Sequence, residues 1–258
     1  MPVITPRRFL LAMAAAVLPL TGAGAVDLVA LTDRHEIVRF TDATPGNTVR
    51  MEIIGAGATV IGIDVRPADG QLYLLTVEGA ILTIDPVTAK STFKSVLSVP
   101  LAAASGYLVD FNPVADRLRV IGAGGQNLRV NVDTGATIVD GPIKFEGGKA
   151  GRIVAGAYSN SVKGAQATRL YAIDETSGAY LTIDPPNDGV VKPLGATGLA
   201  SPPIQGMDIL TTGTTNAGFA VAGGALYRID PATGALTPLS YIGDGSLKIL
   251  DIAVLPPR

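Results

Sequence analysis

The feature that most constrains this chain is an internal repeat. Five segments begin at Asp27, Gln71, Arg117, Arg169 and Ala217. Each reads as an apolar run, a short turn of Gly, Asp or polar residues, and an alternating run ending in Asp; the second, for instance, is QLYLLTVEGAILTID. Period-two alternation on both sides of a short turn is the pattern of a β-hairpin. A polar turn follows each hairpin, such as PVTAK or PATGA, in which Pro fixes φ and Gly accepts a positive φ. A third strand is then expected over residues 48–54, 92–97, 137–139, 190–194 and 236–242.

Four of the hairpins are preceded by a further apolar strand, over residues 60–67, 107–114, 154–161 and 205–212. The first hairpin has none, but a matching segment, LKILDIAVLP, lies at the other end of the chain over residues 247–256. The two deficits are complementary. The expected fold is an all-β, five-bladed β-propeller of four-stranded blades, closed by the C-terminal strand pairing into the first blade, with a repeat of roughly 43–50 residues. A single blade leaves both faces of its sheet uncovered; a closed ring covers them all and removes the most vulnerable edge. A pair of open sandwiches or a six-bladed ring with a degenerate blade are the competing architectures.

Composition agrees with short strands and tight turns: 47% of residues are apolar, and Gly (31) and Pro (18) make up almost a fifth of the 258. Residues 1–25 read as a secretory signal peptide, with Arg7 and Arg8 as the basic start, Phe9 to Leu20 as the apolar stretch and Ala23-Gly24-Ala25 as the cleavage site. The apolar stretch is too short for the roughly 20 residues of a membrane span. The expected domains are therefore a leader at 1–25 and one propeller at 26–258, a monomer in the periplasm or outside a bacterial cell with no membrane span after cleavage. Losing the two arginines takes the net charge from -2 to about -4. No basic run is present, so nucleic acid is not an expected partner. With no Cys and a single His, His35, neither a thiolate metal site nor a Ser-His-Asp triad of the usual kind is available. Gly122, Gly124 and Gly125 are read as turn residues, since no helix follows to make a phosphate loop.

Aligning the innermost strands places Asp64, Asp110, Asp208 and Asp251 at one equivalent position, with Tyr158 in the remaining blade. Apolar neighbours flank each, so alternation turns the Asp side chains towards the central channel. Such a ring can hold a cation such as Ca²⁺ or Mg²⁺, or its members can accept hydrogen bonds that fix the blades. The most polar hairpin carries Asn112, Asp116, Arg117, Arg119, Gln126, Asn127, Arg129 and Asn131. It can offer a ligand or anion surface through the arginine forks, or form a solvated blade held by an Arg–Asp pair.

The stretches Asp110-Phe111-Asn112-Pro113, Asp116-Arg117-Leu118-Arg119-Val120, Gly125-Gln126-Asn127-Leu128-Arg129 and Asp133-Thr134-Gly135 resemble the DUF4394 family, as do Ala157-Tyr158-Ser159-Asn160 and Pro185-Pro186-Asn187-Asp188-Gly189. The resemblance covers nearly all of the chain beyond the leader. It implies an exported bacterial, propeller-like protein of unknown function, and it brings no activity and no catalytic residue. The expected function is a non-enzymatic ligand-binding or scaffold propeller, its partner an unidentified ligand or an envelope protein. The alternative is a hydrolase or lyase of glycosidase type using the channel carboxylates. The absence of Trp and the 5% aromatic content argue against it, since sugar sites stack rings on aromatic side chains. A purely structural envelope component is the third possibility.

Overall fold

In the computed structural model, residues 24–145, 151–199 and 203–256 are described. The leader assigned to residues 1–25 lies almost wholly outside them. Among the described residues no helix is long and apolar enough to cross a membrane.

The strands form five sheets arranged as blades around an axis. Blade two is a plain meander of β4 (Val60–Val65), β5 (Leu72–Thr76), β6 (Ala80–Ile84) and β7 (Ser91–Val96). Blade three repeats it with β8 (Tyr107–Asn112), β9 (Arg117–Gly122), β10 (Asn127–Val130) and β11 (Thr137–Val139). Blade five uses β17 (Ile204–Thr212), β18 (Thr215–Ala222), β19 (Ala225–Ile229) and β20 (Leu236–Tyr241). Blade one takes β1 (Asp27–Thr32), β2 (Glu36–Thr41) and β3 (Val49–Glu52) from the start of the chain. Its innermost strand is β21 (Ile249–Val254), antiparallel to β1 with Leu28 opposite Val254 and Leu31 opposite Asp251. The closure expected from the repeat is thus formed.

Blade four departs from the four-strand pattern. Besides β13 (Ile153–Tyr158), β14 (Leu170–Asp174), β15 (Ala179–Ile183) and β16 (Val190–Ala196), it carries the two-residue strand β12 (Lys144–Phe145) parallel to β16 on its outer edge. That segment belongs to the long connection out of blade three, so the blade-three chain covers its neighbour's edge.

The core lies between blades rather than in a single centre. One buried cluster joins blades one and two through Val29, Leu31, Ile63, Leu74 and Ala253. Another joins blades five and one through Phe219, Val221, Leu28, Ile249 and Ile252. The strand pleat explains this: side chains of one strand alternate between the two neighbouring blades, and both faces are covered. Outer strands are largely wet on both faces, as the consecutive exposed Ile138 and Val139 illustrate. The five inner strands β21, β4, β8, β13 and β17 follow one another around the axis and set the positions of the channel side chains.

Candidate functional site: a ring of buried carboxylates and two channel mouths

The four aligned aspartates do converge. Asp64, Asp110, Asp208 and Asp251 are 3%, 4%, 5% and 6% exposed. Asp64, Asp110 and Asp208 each offer a carboxylate oxygen within 4.8 Å of the others. Asp251 stands close enough that its charge raises the pKa of Asp64 and Asp110.

Each carboxylate also reaches the neighbouring blade. Asp251 Oδ2 accepts a hydrogen bond from the Ile63 N–H at 3.0 Å, and Asp64 Oδ2 from the Phe111 N–H at 2.6 Å. Asp110 Oδ1 accepts from the Tyr158 N–H at 2.8 Å, and Asp208 Oδ2 from the Val254 N–H at 2.6 Å. The second oxygens of Asp64, Asp208 and Asp251 accept from the N–H of the following residue on their own strands. These bonds link blades one to two, two to three, three to four, and five to one. Between blades four and five, where Tyr158 replaces the carboxylate, the link is made elsewhere. Asn160 N–H donates to Asn216 Oδ1 at 2.9 Å, and Ser161 N–H to Thr211 Oγ1 at 2.8 Å.

Burial dominates the electrostatics. Removal from water pushes Asp64, Asp110 and Asp251 well above the ordinary carboxylate range, with their mutual repulsion adding to it. Asp208 is raised to about 6, also by burial, against the two N–H bonds that favour its charged form. The environments are therefore unequal, although the sequence positions are equivalent. Asp64, Asp110 and Asp208 could together hold a hard cation such as Ca²⁺ or Mg²⁺, which takes oxygen ligands.

The polar hairpin of blade three is occupied in a different way. Arg119 is 1% exposed and donates to Asn127 Oδ1 at 2.8 Å, Asp140 Oδ2 at 2.5 Å, Asn187 Oδ1 at 2.8 Å and the Tyr158 hydroxyl at 3.2 Å. Arg129 forks onto Asp140 at 2.6 and 2.9 Å. Asn127 Nδ2 donates to the carbonyls of Gly141 and Pro186, both at 2.9 Å. Arg119, Asn127 and Arg129 are thus brought together, with Tyr158, into a knot between blades three and four. The Asn112 side chain also meets Tyr158, and the remaining predicted residues lie apart from the knot. Asp116 pairs with Arg66 of blade two at 2.6 Å, and that guanidinium holds its carboxyl below the usual range. Asn112 Oδ1 accepts from the N–H of Val114 and Ala115, Asn131 Oδ1 from the N–H of Asp133, and Arg117 donates to the carbonyls of Ala115 and Asp116. Gln126 ties down the loop at Pro100 and Ala102. His35 sits half-buried in its hairpin turn with φ 61°. Sequence reasoning missed Arg66, Asp140 and Glu175. Each lies in a turn or just past a strand, where period-two alternation carries no signal.

The channel has a cavity at each end. Where the inner strands begin, a space of about 190 Å³ is lined mainly by apolar side chains. Where they end, a space of about 220 Å³ is bordered by Asp64, Asp208, Lys163, Thr211 and Leu255.

A closed five-bladed β-propeller with a buried axial carboxylate ring is the class that this fold and site define. A family model described as a domain of unknown function, DUF4394, matches residues 36–253, and the chain belongs to that family. No curated protein matches it. Among solved structures, a structural genomics protein of unknown function from Bacteroides thetaiotaomicron VPI-5482 is similar, with a TM-score of 0.52 and 14% identity. The match covers 85% of this chain and 59% of that one, so this chain spans about three-fifths of its neighbour's length. YCF48 from Cyanidioschyzon merolae is matched with a TM-score of 0.42 and 11% identity, over 83% of this chain and 70% of that one. The likeness to the Bacteroides protein is one of fold alone.

Proposed function

We propose that this protein is a non-enzymatic, exported binding propeller that takes a small ligand at a mouth of its channel. The observation that carries this reading is the commitment of all four axial carboxylates to backbone N–H groups of neighbouring blades. A glycosidase acid and base must face a substrate and a water, whereas these groups are buried and serve as blade-to-blade acceptors. The mouths offer open space next to polar groups, Glu175 at one end and Lys163 and Thr211 beside Asp64 and Asp208 at the other. The test is turnover of chromogenic glycosides and of uronate polymers by the purified chain. No turnover is expected; activity that disappears in Asp208→Asn would overturn the reading in favour of a hydrolase or lyase. Export rests on the basic and apolar start of the chain, and intact-mass analysis of the secreted product should give a chain beginning at Val26.

A second reading concerns the ring itself. Three buried oxygens within 4.8 Å of one another favour one shared Ca²⁺ or Mg²⁺ in addition to protons. An ion that binds only the folded chain raises its melting temperature. A midpoint that is the same in millimolar Ca²⁺, millimolar Mg²⁺ and chelator would remove this reading.

A further inference from the structure

The two ends of the channel are chemically unlike. The cavity where the inner strands begin touches none of the axial aspartates, whereas the one where they end is floored by Asp64 and Asp208. That second cavity measures about 220 Å³, room for roughly seven waters at ~30 Å³ each. Its middle is apolar, with Val65 of β4, Leu210 of β17 and Leu255 just past β21. Thr211 adds no spare donor there, since its hydroxyl donates to Asn216 Oδ1 and accepts from the Ser161 N–H. A cation stands at the rim. The β13–β14 connection of blade four spans residues 159–169, against residues 213–214 between β17 and β18 of blade five. Asn160 and Ser161 anchor its base to Asn216 and Thr211, which lays Ser161, Val162 and Lys163 along the cavity. Lys163 is exposed and, among the described residues, has no ion-pair partner.

The floor is short of donors. Val65, Ile209 and Ile252 each turn their N–H to the aspartate that precedes them, but the N–H of Phe111, which follows Asp110, goes to Asp64 Oδ2 instead. Asp110 therefore spends Oδ1 on the Tyr158 N–H and leaves Oδ2 without a donor among the described residues. Asp110 is 4% exposed, and a buried carboxylate oxygen in that state gains from a charge-assisted N–H. A primary ammonium carries three such donors. With bonds of about 2.9 Å along tetrahedral directions, it reaches acceptors about 4.7 Å apart. Oxygens of Asp64, Asp110 and Asp208 lie within 4.8 Å of one another, and the first and last of these residues border the cavity, so the head need go no deeper than their layer. A bare metal ion would leave the apolar walls and Lys163 unused. A simple carboxylic acid would lack the donors that the floor needs, and a diamine would set its second head against Lys163.

We infer that this mouth binds a short ω-amino acid, its ammonium on Asp64, Asp110 and Asp208, its chain against Val65, Leu210 and Leu255, and its carboxylate paired with Lys163. The inference rests on the proposed function and names the mouth and ligand class for it. The test uses the ¹⁵N-labelled chain from Val26 onward, which contains every described strand. It is titrated with δ-aminovalerate, pentylammonium and valerate in chelator, which keeps the floor clear of divalent ions, at about pH 8, where Asp208 has lost its proton. δ-Aminovalerate, with about as many non-hydrogen atoms as the cavity has room for waters, should shift the amide signals of Val65, Lys163 and Leu255 saturably. Pentylammonium, which forgoes the exposed pair with Lys163, should bind about two- to fivefold more weakly. Valerate, which forgoes the buried ammonium contact, should bind at least roughly tenfold more weakly. Lys163→Ala, a change on the exposed rim, should erase the preference for δ-aminovalerate over pentylammonium. Asp110→Asn keeps an acceptor for the Tyr158 N–H and should weaken δ-aminovalerate roughly tenfold, with a dispersed spectrum showing that it folds. Valerate binding as tightly as δ-aminovalerate, or a preference over pentylammonium that survives Lys163→Ala, would overturn the inference. Shifts confined to Ile61, Gly106 and Gln205 would overturn it while leaving mouth binding intact. Absence of shifts at either mouth, with these probes and a general fragment set, would remove both.

Discussion

At the scale of the residue, the axial aspartates make stability depend on pH in an unusual direction. An unfolded Asp gives up its proton near 3.8, whereas folded Asp208 does so only at about 6, and burial raises Asp64, Asp110 and Asp251 well above the ordinary value as well. A raised carboxyl contributes stability that is fully present below the unfolded value and lost as pH rises through the folded one. Asp116 and Asp133 have the opposite sign: Arg66 lowers both, so their contribution is present above 3.8 and lost as pH falls. The urea midpoint should therefore be higher at about pH 5 than at about pH 8, with Asp208 alone contributing on the order of 1 kcal/mol, since only about one pH unit below its folded value lies in that window. Asp208→Asn should flatten part of that difference, and a midpoint that rises steadily from pH 5 to pH 8 would contradict the account. Arg119 gives a second expectation. Arg119→Met strips the donor from Asn127, Asn187 and Tyr158 and one partner from Asp140, and should cost about 3–5 kcal/mol by denaturant titration. Arg119→Lys should recover only part, because an ammonium cannot reproduce the planar fork. The repeat made the aspartate ring legible, since equivalent positions could be aligned by eye. The partners of Arg119 were not legible, because Asp140 and Asn187 lie in turns that only the assembled ring brings to it.

At the scale of the element, most strands could be read from alternation, and β11 falls at the expected residues 137–139. The short β12 could not be read: two residues carry no period, and its parallel partner β16 lies some 45 positions on in sequence. What brings the inner strands so close is also partly visible, in the glycine that precedes three of the five channel residues by two positions: Gly62, Gly156 and Gly206. A Cβ at Gly62 would sit 2.4 Å from Val109 Cγ2 and 2.7 Å from its Cβ on the next inner strand. At Gly206 it would lie 2.9 Å from the Asp251 backbone. Gly62→Ala should therefore force β4 and β8 apart and cost about 1–3 kcal/mol, measured by thermal or urea unfolding. Combined with Val109→Ala, the loss should be smaller than the two single losses added, since one change makes room for the other. Strict additivity would mean that the strands do not press on each other there.

At the scale of the whole molecule, the ring stands or falls with β21. This strand is the last in sequence yet the first in blade one, and it touches three blades at once. It pairs with β1, packs Ile249 and Ile252 against Phe219 and Val221 of blade five, and sends Asp251 to the Ile63 N–H of blade two. Its Val254 N–H in turn satisfies Asp208 of blade five. Removing residues 246–258 therefore does more than delete a strand. It exposes the apolar faces of blades one and five, leaves β1 with an open edge, and takes the donor from a buried carboxylate. Leu247, Ile249, Ile252, Val254 and Leu255 are all at most 8% exposed, and burying each is worth about 1.5–3 kcal/mol before entropy. Together they rival the roughly 5–15 kcal/mol net stability of a typical domain. The truncated chain should lose its cooperative melting transition or associate through the edge of β1. Supplying residues 246–258 as a separate peptide should restore a monomeric melting transition, because the groove left between β1, β4 and β17 is the one that β21 fills. A truncated chain that remains monomeric and melts at the temperature of the intact protein would mean that closure by β21 does not hold the ring together.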